Sequence, residues 1–483
     1  MSPPLWDTDL IIQIQSLYDR GLFVQALRAG TSLGPLQGWR GTETRILAAR
    51  LASQLSAHRL GESMMLRLWR TDQSTPAAIY YSARALFYRR GVLAALDRLQ
   101  ESRLLDTESP VQWKATAFAA HLYARYRDFE RAEQLITVAL DHSDIAWLWT
   151  ERALIYEMED RYEDALAAAR QAFKRNATMP ATVLRLAHTL ALVERDHEAI
   201  ETLRNALGTV ESPGIASYLA DLEIEHGQYD QALDTLACFD RLAVLKDKTT
   251  TAWLAGRRCD VYSLIGNTQA ALLHGRTVDT PFYKEVVGKL EGAGSHIRRV
   301  LLPVGFVRQH HMTCAPATLS ALSRYWNLPA DHLDLAEAIC YDGTSHHSER
   351  QWALAHGWYP REFTVTWKSA RALLDAGIPF TLTTPFPGGS HLQAVIGYDD
   401  GRGVLFIRDP YDRIFGEFAE ETFFQSHRAT GPRGMAMVPI GERARLDAIL
   451  LPDAELRDLD HDVQHALSLH DRSRAAACCD ELS

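Results

Sequence analysis

The sequence predicts a multidomain chain: an all-α solenoid of helical repeats over residues 1–290, an α+β domain over 300–440, and a helical tail over 441–483. Three observations carry this prediction. Residues 1–290 are dense in Ala, Leu, Arg and Glu, sparing in proline, and broken only by short polar turns, which is helix signal throughout. A short motif ending in alanine recurs in that region at a nearly constant interval. Beyond residue 300 the pattern changes, with period-two alternation and glycine-rich turns entering.

The repeat is the first element to justify. Arg127-Asp-Phe-Glu-Arg-Ala132, Arg161-Tyr-Glu-Asp-Ala165, Asp196-His-Glu-Ala199 and Gln228-Tyr-Asp-Gln-Ala232 share a polar turn, often an aromatic, and an alanine. The alanines stand 33, 34 and 33 positions apart. A looser copy ends at Ala270, and earlier candidates lie at Phe23 to Ala26, around Ser63, and at Val92 to Ala95. A period near 34 residues is that of tetratricopeptide (TPR) repeats, each a helix–turn–helix unit. Trp113, Tyr123, Trp149 and Tyr156 then fall on first helices, and Pro180 precedes the next unit. Met64, Met65 and Trp69 read as core. Such solenoids leave a groove that holds peptide or partner protein, so a protein partner in the TPR groove is expected.

Residues 292–299, rich in glycine and ending in basic residues, read as the junction. Then comes Gln309-His-His-Met-Thr-Cys314-Ala-Pro-Ala, a cysteine at the first turn of a helix. Pro316 suits an early helical position, and Ala317, Ala321, Leu322 and Tyr325 give an apolar face. A thiol beside unpaired helix N-terminal N–H groups is biased toward the nucleophilic thiolate.

Short helices are expected over 335–340 and 349–356, a strand over 363–367, a helix over 368–376 ended by Gly377, and a strand over 378–384. His391, Gln393 and Val395 alternate with Leu392, Ala394 and Ile396, and a second apolar run covers 404–407. With Asp399-Asp-Gly-Arg-Gly403 as turn chemistry, this is a β-hairpin. Antiparallel pairing about that turn brings His391 and Asp409 together at its open end. Pro410 ends the second strand. A helix-borne cysteine with a converging histidine and aspartate outlines a nucleophile, base and orienter.

Gln309, Cys314-Ala-Pro-Ala317, His391 with Gly397-Tyr-Asp399, and Asp409-Pro410 resemble a bacteriocin-processing peptidase domain of the papain-like cysteine peptidase superfamily. The resemblance covers residues 300–440 and implies four catalytic positions. Cys314 attacks, His391 acts as base and acid, Asp409 orients His391, and Gln309 helps form the oxyanion hole. Two positions depart from the family pattern: Ala315 stands where many members have glycine, and the Gln-to-Cys interval is five positions, one shorter than in transporter-linked peptidases. The implied activity is cleavage of a peptide or protein substrate through a thioester. Two alternatives remain open: a papain-like acyltransferase or amidase, and a non-catalytic peptide-binding scaffold with a degenerate domain.

Whole-chain quantities narrow the rest. The 483 residues carry a net charge of −10, giving no electrostatic case for nucleic acid or anionic membrane. Cysteines 238, 259, 314, 340, 478 and 479 match neither a disulfide framework nor a zinc pattern. His310, His311, His346 and His347 likewise lack ligand spacing; no metal and no cofactor is expected. His346 and His347 read as a solvated or cleft-edge loop, and Cys340 as core. The N-terminus lacks a signal-peptide pattern and no apolar run of about eighteen residues spans a membrane, so a cytoplasmic protein is expected. The tail over 462–482 again looks like a helix–turn–helix, either packed on the preceding domain or opening a further repeat.

Overall fold

A computed structural model describes residues 8–294, 297–429 and 431–482. Ser295 and His296 of the junction lie outside them, as do residues 1–7, on which the signal-peptide reading rests. The chain divides into two compact units, Met1–Val261 and Tyr262–Ser483. Among the described residues no helix is long and apolar enough to cross a membrane.

In the first unit the alanine-punctuated sequence folds into consecutive helix pairs. Thr42–Gln54 pairs with His58–Thr71, Pro76–Arg90 with Val92–Glu101, Gln112–Arg125 with Phe129–His142, and Ala146–Met158 with Tyr162–Arg175. Pro180–Leu192 with Asp196–Leu207 and Pro213–Glu225 with Tyr229–Leu242 continue the series. Prolines at the first helical position open three of the first helices, where a missing N–H costs nothing. Ala132, Ala165, Ala199 and Ala232 sit on second helices and are each 0% exposed, so a larger side chain there would push neighbouring helices apart. The turns repeat as faithfully as the alanines. Arg127, Asp160, Glu194 and Gly227 occupy the same turn position with left-handed backbone, φ 61°, 63°, 59° and 68°.

The second unit is built on one antiparallel sheet. Its strands are β1 (Arg299–Leu301), β2 (Trp358–Thr364), β3 (Phe380–Phe386), β4 (Gly389–Asp399), β5 (Val404–Arg408), β6 (Gly416–Ala419) and β7 (Arg433–Pro439). The order is β2-β7-β3-β4-β5-β6, with β1 pairing onto β4. β4 is buried from Leu392 to Asp399, and the helices Cys314–Tyr325 and Trp367–Asp375 both pack on it. Phe363, Phe380, Leu382, Val395, Leu405 and Ile407 of the sheet form one core with Ala370, Leu373 and Leu374 of the second helix. Glu285, on the helix Pro281–Gly292, accepts from the backbone N–H groups of Glu421 (2.5 Å) and Thr422 (2.9 Å), capping the helix Glu420–Ser426.

Several local expectations shift. The strand expected at 363–367 is β2, ending at Thr364, because Thr366 and Ser369 form a capping box that starts a helix at Trp367. His346 and His347 are not a loop: Ser345 accepts from the Ser348 N–H (3.1 Å) and the helix begins at His346. The His347 ring lies 5.3 and 5.7 Å from those of His461 and His465 on the tail helix Ala454–Ser468. That helix packs on β2, and its Asp458 takes the guanidinium of the buried Arg350 at 2.5 Å. Cys340 is not core; it is the partly exposed cap of His332–Ile339, its thiol donating to Met312 O at 3.3 Å.

Candidate active site

Cys314 is the first residue of the helix Cys314–Tyr325, whose positions 315–323 are buried, making this the central helix of the domain. One turn on, at the i+4 position facing the same way, the Thr318 hydroxyl donates to the carbonyl of Leu392 at 3.1 Å. That bond ties the helix start to β4 beside His391. Thr318 shares its helix with the hydroxyls of Ser320 and Ser323, so nothing in the sequence singles it out.

His391 lies on β4, opposite Thr384 of β3. Its Nε2 is 2.8 Å from Asp409 Oδ1, with both side chains about a quarter exposed, at 24% and 23%. The sequence placed this pair by symmetry about the turn, and the actual register differs. Val395 opposes Ile407 but Gly397 opposes Phe406, so a bulge at Ile396 shifts the strands by one. The Ile396 carbonyl is taken by the N–H of Leu302, 2.8 Å away, so the bulge leaves no orphan acceptor. Asp409 reaches His391 from just past the end of β5.

The loop after β5 is held from several sides. Asp409 Oδ1 also accepts from the Tyr411 N–H at 2.7 Å, which fixes the carboxylate. Arg408, buried, donates to Val304 O (3.2 Å) and Arg413 O (3.1 Å). Arg308 donates to Tyr411 O and lies 4.5 Å from its ring. Gln309 joins the site through its backbone: its N–H donates to Pro410 O at 2.9 Å, beside Asp409. The Gln309 amide Nε2 is 3.4 Å from His310 O. Between Gln309 and Cys314 the short loop bends through Met312, left-handed at φ 63°. Thr313 Oγ1 accepts from the His310 N–H (2.8 Å) and hydrogen-bonds His332 Nε2 (2.8 Å), bracing that loop.

The electrostatics follow from these partners. Burial alone lowers the pKa of His391; the hydrogen bond to Asp409, then that to the Cys314 thiol, outweigh it and raise the value to about 10. With Nε2 engaged by Asp409, Nδ1 is the ring nitrogen left for sulfur. Asp399, within the resembling motif, has a structural part. Fully buried, it accepts from Arg299 (2.7 Å) and from the N–H groups of Gly401 and Arg402. Arg402, also fully buried, passes on to Glu417 at 2.7 Å. Gly397 of the same motif is required by close approach: a Cβ there would lie 2.3 Å from Val300 O.

A thiol at a helix start, an imidazole against it and a carboxylate behind the imidazole, on a helix packed against an antiparallel sheet, define a papain-like cysteine peptidase fold. Residues 301–434 match the Peptidase_C39 like family, so the second unit carries a Peptidase_C39-like domain. The helix pairs of the first unit, with their alanines 33 or 34 residues apart, form a TPR-like array. Among solved structures, the peptidase domain of Streptococcus ComA, a bi-functional ABC transporter involved in a quorum sensing pathway, is 17% identical with a TM-score of 0.24. That likeness covers 28% of this chain and 98% of that one. Over the helical part, a chain of the APC/C hetero-tetramer Cut9–Hcn1 is 14% identical (TM-score 0.38), covering 58% of this chain and only 55% of that one. The type IV pilus biogenesis factor PilW is 16% identical (TM-score 0.34), covering 43% and 93%. No curated protein matches.

Proposed function

We propose that the second unit is a cysteine peptidase that cleaves a peptide or protein, and that the TPR-like repeats recruit the substrate or a partner. The observation that supports this most is the His391–Asp409 hydrogen bond of 2.8 Å on an imidazole that also bonds the Cys314 thiol. In this reading His391 Nδ1 takes the thiol proton, and the sulfur attacks the scissile carbonyl carbon. The oxyanion is stabilised by the Gln309 amide and by the N–H of Cys314, which as a first-turn donor has no partner within its helix. His391 then protonates the leaving amine, and a water it deprotonates hydrolyses the thioester, releasing the acid and the free thiol. Asp409 fixes the ring tautomer throughout. A nucleophilic thiol needs a reducing setting, in keeping with a cytoplasmic location.

The test is labelling of the purified chain with an iodoacetamide-type probe across pH 5–9, with peptide mapping. Selective reaction at Cys314 well below pH 8, abolished in His391→Ala, is expected. Asp409→Asn should keep the fold and cut turnover by roughly 10²–10⁴-fold. If Cys314 reacts no faster than the exposed Cys479, with an ordinary thiol profile, the peptidase reading fails and the scaffold reading replaces it. Product masses separate hydrolysis, which shortens the peptide, from acyl transfer, which joins two.

A further inference from the structure

The first helices of three consecutive pairs each present a cation: Arg50 on Thr42–Gln54, Arg84 on Pro76–Arg90 and Lys114 on Gln112–Arg125. Arg50 and Arg84 are backed by aromatic faces. The Arg50 guanidinium lies 4.4 Å from the Tyr18 ring and 5.7 Å from Tyr81, and that of Arg84 lies 4.4 Å from Trp147 and 5.9 Å from Tyr80. The Tyr80 and Tyr81 rings are 4.9 Å apart, joining the two arginines into one ladder. All three cations are partly buried.

Among the described residues none of the three has a carboxylate within ion-pair distance. Elsewhere in the unit some arginines do pair with acids: Arg89 with Glu62 (2.9 Å), Arg152 with Glu133 (2.5 Å), Arg175 with Asp144 (2.6 Å), Arg257 with Asp221 (2.6 Å). The chain has acids to spare, 61 against 51 basic residues. The two nearby acids are hydrogen-bonded elsewhere, Asp19 to Gln15 (2.7 Å) and Glu151 to His121 (2.8 Å), and act on Arg50 and Arg84 only through space. Partly buried cations that no carboxylate touches can donate charge-assisted hydrogen bonds to a ligand carboxylate. Burial first, and then the charge of Arg50, push the Lys114 amine below its usual range, with Asp19 opposing.

Next to the ladder lies a cavity of about 280 Å³ with Ile11, Ile12, Ile46, Leu47 and Arg50 on its walls and Glu43 and Gln15 at its polar side. Ile12 is 62% exposed there. An apolar hollow with an arginine in its wall fits an aliphatic side chain flanked by carboxylates.

We propose that this face of the repeats binds an acidic segment of a partner protein, its carboxylates on Arg50, Arg84 and Lys114 and an aliphatic side chain in the Ile11–Ile46 cavity. The charge argument favours a short acidic peptide over nucleic acid. A chain of net charge −10 repels an extended polyanion, whereas a peptide needs only the local cations. The inference rests on the reading of the repeats as the recruiting part and is independent of the catalytic set.

The experiment uses the full chain carrying Cys314→Ala, so that nothing is cleaved. Fluorescence anisotropy is read with three labelled probes: a peptide of leucine flanked by glutamates, the same peptide with glutamines, and a short oligo-dT. The glutamate peptide should bind with Kd of about 1–100 µM, and the glutamine peptide about tenfold or more weaker. Lys114→Gln, at a side chain with no hydrogen bond, ion pair or ring contact among the described residues, should weaken binding about tenfold without risk to the fold. Arg84→Gln should do the same, with Arg84→Lys restoring part of it. Equal binding of both peptides, no binding of either, or preference for oligo-dT would each overturn the proposal. Cys314 labelling in the otherwise unaltered Lys114→Gln chain should stay as in the parent, so a failed recruiting site and a failed catalytic set give different results.

Discussion

At His391 one ring carries a carboxylate on one nitrogen and a thiol near the other, and the pH behaviour of the site follows from that. Its folded pKa of about 10 lies above the ordinary 6.5. For a histidine raised in this way the proton-linked stabilisation is complete below about pH 6.5 and is lost as pH rises through about 10. The gap in urea midpoint between the parent chain and His391→Ala should therefore be widest near about pH 6 and close by about pH 10.5. A gap that does not change with pH would mean that the proton is not shared in the folded state. Cys314, His391 and Asp409 were legible because each sits in a local context with its own chemistry: a helix start, a strand and a strand end. Thr318, Arg408 and Thr313 were not, since their roles depend on which backbone carbonyl or ring the fold brings opposite them.

At the scale of elements, two glycines separate conformational strain from close approach. Gly227 has φ 68°, and a Cβ there would meet nothing within 4 Å, so Gly227→Ala should cost about 1 kcal/mol through the backbone alone. A Cβ at Gly397 would strike Val300 O at 2.3 Å and Phe406 at 3.0 Å, forcing β1 off β4, and Gly397→Ala should cost about 2–3 kcal/mol. Chemical denaturation of the two variants checks the ranking; a larger loss at Gly227 would refute it. The repeat was readable because close helix packing demands alanine at one fixed position. The left-handed turn residues were not, because Arg127, Asp160 and Glu194 adopt a conformation that their identity does not announce. Strands β6 and β7 also escaped notice. β7 lies between β2 and β3, a neighbour relation set by the sheet rather than by its own residues.

For the whole molecule, two compact units with separate cores predict unfolding in more than one step. The first is held by clusters such as Tyr80, Leu99, Phe118 and Leu122; the second by Phe363, Phe380, Leu405 and Val438. Calorimetry should resolve two transitions, with Gly397→Ala lowering only one of them. A single transition moved as a whole would count against independent cores. Composition and periodicity made the change of architecture near residue 300 visible. The destination of the tail was left open by its sequence, since an amphipathic helix pair does not say what it covers; Asp458 on Arg350 and the stacked histidines supply the answer.

The bulge at Ile396 gives the β4–β5 hairpin something like a reading frame. Side chains alternate faces, so losing or gaining one residue between His391 and the turn would swing the imidazole to the other side of the sheet, away from Asp409. Losing or gaining two would not. Length variants of this hairpin that keep the pair in register should therefore differ by even numbers, or carry a compensating change across the bulge, while point substitutions along β4 leave that phase unchanged.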